Sequence, residues 1–178
     1  GRELSQVFPE KRAPASELVF EVRELSVPGA LHDVRSVHAK GEILGVAGLV
    51  DAGRTELGEA LIGVRRRSAG RIFMHGEEID IRRPADAVAR GIDYLSEDRQ
   101  GAGILTSFSV TQNITLVSLS SYCGRLLRFV FGKKEDEAAR RHQERFNIKT
   151  PSLKVRLEYL SGGNQQKVVL SKWLSSKA

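Results

Sequence analysis

Residues Gly48–Thr55 read GLVDAGRT, and their neighbours on both sides decide what that octet is. Upstream, Glu42–Gly48 (EILGVAG) is a short apolar run closed by glycine, the pattern of a buried strand. Downstream, RTELGEALIG (Arg54–Gly63) spaces Leu57, Ala60 and Leu61 as a helix does. It ends on Gly63, the residue expected just past a helix C-terminus. Strand, glycine-bounded turn and helix form the context in which G-x-x-x-x-G-[K/R]-T binds phosphate. Glycine lets the backbone approach an anion, and the helix N-terminus adds N–H donors and partial positive charge. The candidate phosphate-binding residues are Gly48, Asp51, Ala52, Gly53, Arg54, Thr55 and Glu56, with Thr55 also a candidate Mg²⁺ ligand. Two positions modify the loop. Arg54 puts a planar guanidinium where a lysine ammonium is usual. Asp51 adds a carboxylate facing the phosphates, a repulsion on the order of 1 kcal/mol. The competing reading of the octet is a strand–turn–helix junction of ordinary turn residues.

The flanking sequence alternates strand and helix patterns, which predicts an α/β domain. Leu18–Leu25 alternates as a strand. Gly70–Ile81 reads as a hairpin turning at Gly76, and Pro84 opens a helix that stops before Gly91. Gly91–Leu95 predicts another strand, and Thr111–Phe146 a helical stretch, clearest in KKEDEAARRHQERF. Pro151 interrupts the chain before a last helix, whose apolar stripe is Val169, Leu170, Trp173 and Leu174. Residues 1–17, with two prolines and mixed charge, read as a linker, and the insert between Leu95 and Tyr159 as a helical lobe.

The chain has 178 residues, a net charge of +6, one cysteine (Cys123) and one methionine (Met74). One cysteine excludes an internal disulfide framework. No apolar run reaches the roughly 18 residues of a membrane span; LLRFVF (Leu126–Phe131) is broken by Arg128. The positive charge admits a nucleic-acid partner, but no basic stretch has interleaved aromatics. Arg65-Arg66-Arg67 and Arg140-Arg141 read as solvated faces. A chain that begins at Gly1 is expected to be a piece or a processed form.

A second glycine pair opens the last helix. In LSGGNQQK (Leu160–Lys167), Ser161 is placed as an N-cap, with Gly162 and Gly163 in the first turn. Each glycine costs a helix about 1 kcal/mol relative to alanine, so a plain helix start does not need them. Bare N–H groups at that end favour an anion.

LSGGNQQK resembles the signature motif of ABC-transporter ATPases. With GEILGVAGLVDAGRTEL (Gly41–Leu57), GIDYLSEDR (Gly91–Arg99) and IKTPS (Ile148–Ser152), the resemblance narrows to ATP-binding subunits of bacterial importers for ribose, galactose, xylose and similar solutes. Those subunits carry two cassettes per chain. Arg54 and Glu56 are similar to the second cassette, and residues 1–17 to the linker between cassettes.

The resemblance implies a P-loop ABC-ATPase cassette over residues 18–178, with a helical subdomain at 98–158 and the signature helix at 159–178. It implies ATP and Mg²⁺ as ligands. Ser161, Gly162, Gly163 and Asn164 would contact ATP held by an opposing cassette, either the first cassette of the same chain or a paired one. Glu97 stands where a Mg²⁺-sensing glutamine is usual and is a second candidate metal ligand. An adenine-stacking aromatic is missing from LSVPGALHDV (Leu25–Val34). The helical subdomain would meet membrane permease subunits, and the protein would sit peripherally on the cytoplasmic face of the inner membrane. No nucleic-acid partner is implied.

In the family an apolar strand ending in Asp-Glu and then a switch histidine follow the signature. Neither follows Ser161 here, since His32, His38, His75 and His142 all precede it. The expectation is an incomplete cassette, inactive alone, with an exposed sheet edge and apolar surface. The alternatives left open are a catalytically silent nucleotide-binding or partner-surface module and, more remotely, a basic nucleic-acid binder.

Overall fold

Strand β1 (Leu18–Val27) lies between β2 (Leu31–Ala39) and β3 (Ala69–Met74), and β4 (Glu77–Ile79) completes an antiparallel sheet ordered β2-β1-β3-β4. The computed structural model describes residues 15–96, 98, 101, 103–123 and 130–175, which fall into two units dividing after Asp86. The sheet belongs to the first. Val22, Leu25 and Val27 are all buried, although 22 and 25 differ by an odd number. A bulge reconciles them: Glu24 takes φ 54, and the register shifts between Val22 and Leu25. Gly70 passes close to this bulge at φ 101. A Cβ there would lie 2.4 Å from the Leu25 Cα, so only glycine fits.

Strand β2 went unseen in the sequence. Its Leu31, Val34, Val37 spacing hides the period of two, because Asp33, at φ 49, adds a second irregularity. The readable signal was Val27-Pro28-Gly29-Ala30. Gly29 takes φ 71 and the Ala30 N–H donates to the Val27 carbonyl at 3.1 Å, a turn with Pro and Gly at its centre. The β3–β4 hairpin turns where expected, on His75 (φ 50) and Gly76 (φ 82), both left-handed as a two-residue hairpin turn requires.

Helix α1 (Arg54–Leu61) ends as its glycine predicts. The Gly63 N–H donates to the Ala60 carbonyl (3.3 Å) and the Val64 N–H to that of Glu59 (2.9 Å), the paired bonds of a Schellman end. Helix α2 (Pro84–Ala89) begins on proline, and Gly91 (φ 80) follows it. The Asp86 carboxylate accepts the Arg82 and Arg83 N–H groups, each at 3.2 Å.

Two expected strands are not strands. Glu42–Gly48 and Gly91–Leu95 adopt no strand, and Ile43 is 98% exposed. An apolar run becomes a buried strand only when neighbouring strands take its N–H and C=O groups. Among the described residues no ladder reaches 42–48.

The second unit is helical: α3 (Val110–Thr115), α4 (Gly132–Phe146) and α5 (Gly162–Leu174), with 3-10 turns at Leu119–Tyr122 and Leu157–Tyr159. The expected helical stretch from Thr111 to Phe146 is thus divided. The serine-rich run from Ser118 to Ser121 lies at the division, where hydroxyls compete for backbone bonds. Most of LLRFVF lies outside the described residues. Ile104, Val110, Ile114, Ala139, Ile148, Leu157, Leu160, Val168 and Val169 form the core, with Trp173 against it. The buried stripe of α5 differs from the expected one: Val168 joins Val169, while Leu170 and Leu174 are exposed.

Candidate functional site

In the first unit, the turn before α1 collects the candidate phosphate-binding residues. The chain reverses there through the Ala52 N–H, which donates to the Leu49 carbonyl at 3.2 Å. Asp51 takes φ 65 and Gly53 φ 84. Two glycines are demanded by space. A Cβ on Gly48 would come 2.9 Å from the Ala52 methyl, and one on Gly53 would come 2.7 Å from Leu31 Cδ2. Gly53 stands at the N-cap of α1 and offers no side chain to its first turn, so that end is left to main-chain donors. Arg54 and Asp51 are exposed and Thr55 half-buried. The loop therefore has a tight backbone, a helix N-terminus and one cation, a fit to phosphate oxygens.

The Leu31 contact also places the β1–β2 turn against this loop. A cleft of about 410 Å³ opens beside that turn, lined among others by Val27, Pro28, Leu31 and His32. That turn carries no Phe, Tyr or Trp, and His32, which the motifs do not point to, is the one aromatic ring in the lining.

In the second unit, α5 presents the other candidate residues. Ser161 occupies the N-cap position (φ −61, ψ 151), but its side chain does not cap. Its Oγ instead accepts from Asn164 Nδ2 at 3.0 Å, while Asn164 Oδ1 accepts the Lys149 N–H at 2.9 Å. Ser161, Gly162 and Gly163 are exposed. A Cβ on Gly163 would meet nothing within 4 Å, so this glycine, unlike Gly48 and Gly53, is not required by its own chain.

The residues after the glycines fix that helix mouth. Gln165 Nε2 donates to the carbonyls of Leu157 and Leu160, both at 3.1 Å. Lys167 Nζ donates to the Asn147 carbonyl at 2.8 Å, just past the end of α4. Farther along, Lys172 is buried and donates to the Gly103 carbonyl at 2.6 Å. Burial pushes its ammonium below the ordinary lysine value. In NQQK, a family mark by sequence, Asn164, Gln165 and Lys167 each find a partner in the surrounding turns.

Glu97 lies outside the described residues. Beside it, the Asp98 carboxylate accepts the Gly101 N–H at 2.9 Å. No cluster of three or more His, Cys, Asp or Glu that could hold a metal occurs among the described residues. A Mg²⁺ at Thr55 would take most of its oxygens from phosphate and water, as Mg²⁺ commonly does. No helix among the described residues is long and apolar enough to cross a membrane.

The family model for ABC transporters matches residues 31–178. The chain belongs to that family. A ribose import ATP-binding protein of Rubrobacter xylanophilus is 43% identical over 178 residues, covering 100% of this chain and 35% of the relative. A galactose/methyl galactoside import ATP-binding protein of Photobacterium profundum is 36% identical over 99% of this chain and 36% of its own length. The chain thus spans about a third of the curated relatives it matches. A dimeric ATP-binding cassette solved with ADP and phosphate aligns at a TM-score of 0.70 and 15% identity, over 88% of this chain and 69% of that one. The fold is that of part of an ABC ATPase cassette, mixed α/β with an antiparallel sheet.

Proposed function

We propose that this ABC chain is an ATP-binding cassette of an importer for sugars or similar small solutes, the second of two cassettes joined by residues 1–17. Gly48, Asp51, Ala52, Gly53, Arg54, Thr55 and Glu56 hold the phosphates of one ATP, with Mg²⁺ at Thr55 and Glu97. Val27, Pro28, Leu31 and His32 offer a surface to its base. Ser161, Gly162, Gly163 and Asn164 complete the ATP site of the opposing cassette. The bound metal supplies charge neutralisation to the phosphates. The helical subdomain, 98–158, meets membrane permease subunits at the cytoplasmic face of the inner membrane. The names of the relatives support the solute class.

One observation carries the reading: Gly163 opens on empty space at a helix N-terminus whose surroundings are fixed by Asn164, Gln165 and Lys167. A helix gives up stability for that glycine without any gain in its own packing. An anion from outside the chain supplies the reason. In the complete two-cassette protein assembled with its permease, Gly163→Asp should abolish most ATP-driven uptake while the protein stays folded. Uptake at the parental rate in a folded Gly163→Asp protein would overturn the reading.

A second reading, a module that binds nucleotide but is silent in catalysis, draws on Asp51, exposed in the loop at φ 65. Calorimetry decides its weight: under that reading Asp51→Gly tightens Mg-ATP binding, and unchanged binding removes its support.

A further inference from the structure

Arg65, Arg66 and Arg67 read as a solvated run, but the structure gives each a different surrounding. Arg65 is forked on the Glu59 carboxylate, through Nε at 3.0 Å and Nη2 at 2.8 Å. Arg66 is exposed and has no carboxylate partner among the described residues. The Arg67 side chain is only 15% exposed. Its Nη2 donates to the Ile81 carbonyl at 3.1 Å and lies 3.7 Å from Asp80 Oδ1. Its Nη1 is buried and donates to nothing. Arg82, from beyond β4, pairs with Asp80 at 2.6 Å.

The four arginines, Asp80 and Ile81 line one cleft of about 610 Å³. Gly63 makes it: at φ 76 the chain leaves α1 so tightly that a Cβ would sit 2.5 Å from the Arg83 nitrogen. That approach brings the 65–67 run and Arg82 to the same hollow. Four guanidiniums line it, against one lining carboxylate, Asp80, and the Glu59 carboxylate that pairs with Arg65. The excess is two positive charges, and one buried NH₂ group, Arg67 Nη1, lacks an acceptor. Leaving such a donor unpaired costs free energy, so buried polar groups are nearly always bonded.

We propose that this cleft binds a phosphate monoester dianion, at a place separate from the turn before α1. Two negative charges match the excess, and the guanidinium fork matches phosphate oxygens. A carboxylate brings one charge and two acceptor oxygens, against two charges and three terminal oxygens. The phosphate can come from a free phosphoester or from an anionic lipid headgroup. The inference does not rest on the importer reading.

The test uses the whole chain at low ionic strength, where exposed charges are least screened. One arm titrates it with inorganic phosphate and follows backbone amide signals by NMR. The other sediments it with phosphatidylcholine vesicles, with and without phosphatidic acid. The expected result is a saturable shift of the Val64, Arg66 and Arg82 amides. Arg66→Glu should weaken it about tenfold, the worth of one charge-assisted bond. Arg67→Gln should weaken it as much; if that variant fails to fold, the exposed Arg66→Glu still decides. Vesicle binding that needs phosphatidic acid and is lost in Arg66→Glu supports the site and assigns it to a headgroup. A phosphate response without vesicle binding supports it and assigns a soluble phosphoester. No response in either arm, or responses that Arg66→Glu leaves unchanged, overturns the proposal.

Discussion

Leu49 and Val50, in the turn before α1, are 86% and 83% exposed, whereas Val168 and Val169, two turns into α5, are 0% and 1% exposed. Both regions have the same local plan, a glycine pair and a helix N-terminus. They differ in what holds them. The α5 mouth is fixed by Asn164, Gln165 and Lys167, and by a core whose members lie between Ile104 and Val169. The turn before α1 follows a segment that no described strand pairs, and its apolar side chains face outward. The α5 mouth is held by hydrogen-bond partners 5 to 20 residues away and a core within its own unit. A phosphate turn hung on a central strand needs a ladder that local sequence does not supply.

The largest effect should come from the core under α5. Leu157→Ala, at a fully buried position, should cost about 2–5 kcal/mol, and Leu49→Ala no more than about 0.5 kcal/mol. Urea denaturation checks both, by the fluorescence of Trp173, the only tryptophan, and by circular dichroism. Equal losses would mean that the turn before α1 is as well packed as the α5 mouth, and the contrast would break.

The glycines sharpen the contrast. Gly53→Ala meets Leu31 at φ 84 and should cost about 1–3 kcal/mol. Gly163→Ala meets nothing and should be neutral or gain up to about 1 kcal/mol of stability. A destabilised Gly163→Ala protein in thermal melts would show that the chain itself needs this glycine.

Gln165→Ala tests the bracing. It leaves the Leu157 and Leu160 carbonyls without that donor and should cost about 1 kcal/mol. Amide exchange around Leu160 should quicken, and unchanged exchange would remove Gln165 from the account.

The smallest effect concerns pH. His142, with Nδ1 buried and unbonded, is held below its ordinary value of 6.5, first by burial and then by Arg145 and Arg141. The unfolded chain therefore takes up the proton first as pH falls. The stability due to neutral His142 is intact above 6.5 and lost as pH drops through that value towards the folded one. The urea midpoint of the second unit should fall between about pH 7 and pH 5, less steeply in His142→Gln. Identical slopes would assign the acid sensitivity to other groups.

Short-range features were legible because a few adjacent residues fix them. Gly63 and Gly91 past helix ends, Pro84 at a helix start and the His75-Gly76 turn each follow from local φ preferences. The candidate residues at 48–56 and 161–164 were legible for the same reason, since a glycine-bounded helix start is a local pattern. Strand β2 was not, because bulges at Glu24 and Asp33 break the alternation by which a strand is read.

The sequence by itself determined the ends of α1 and α2, the start of α5, the β3–β4 turn, and the family to which its motifs point. Only the tertiary structure decided which apolar runs find partners. It left Ile43 in solvent, buried Val168, set the Ser161 hydroxyl on the Asn164 side chain instead of a backbone N–H of its helix, and sank Arg67 beside an exposed Arg66. The physical reason is range. Backbone angles answer to adjacent residues, whereas burial and hydrogen-bond partners depend on groups brought from far along the chain, such as Gly103 on Lys172 or Ile81 on Arg67.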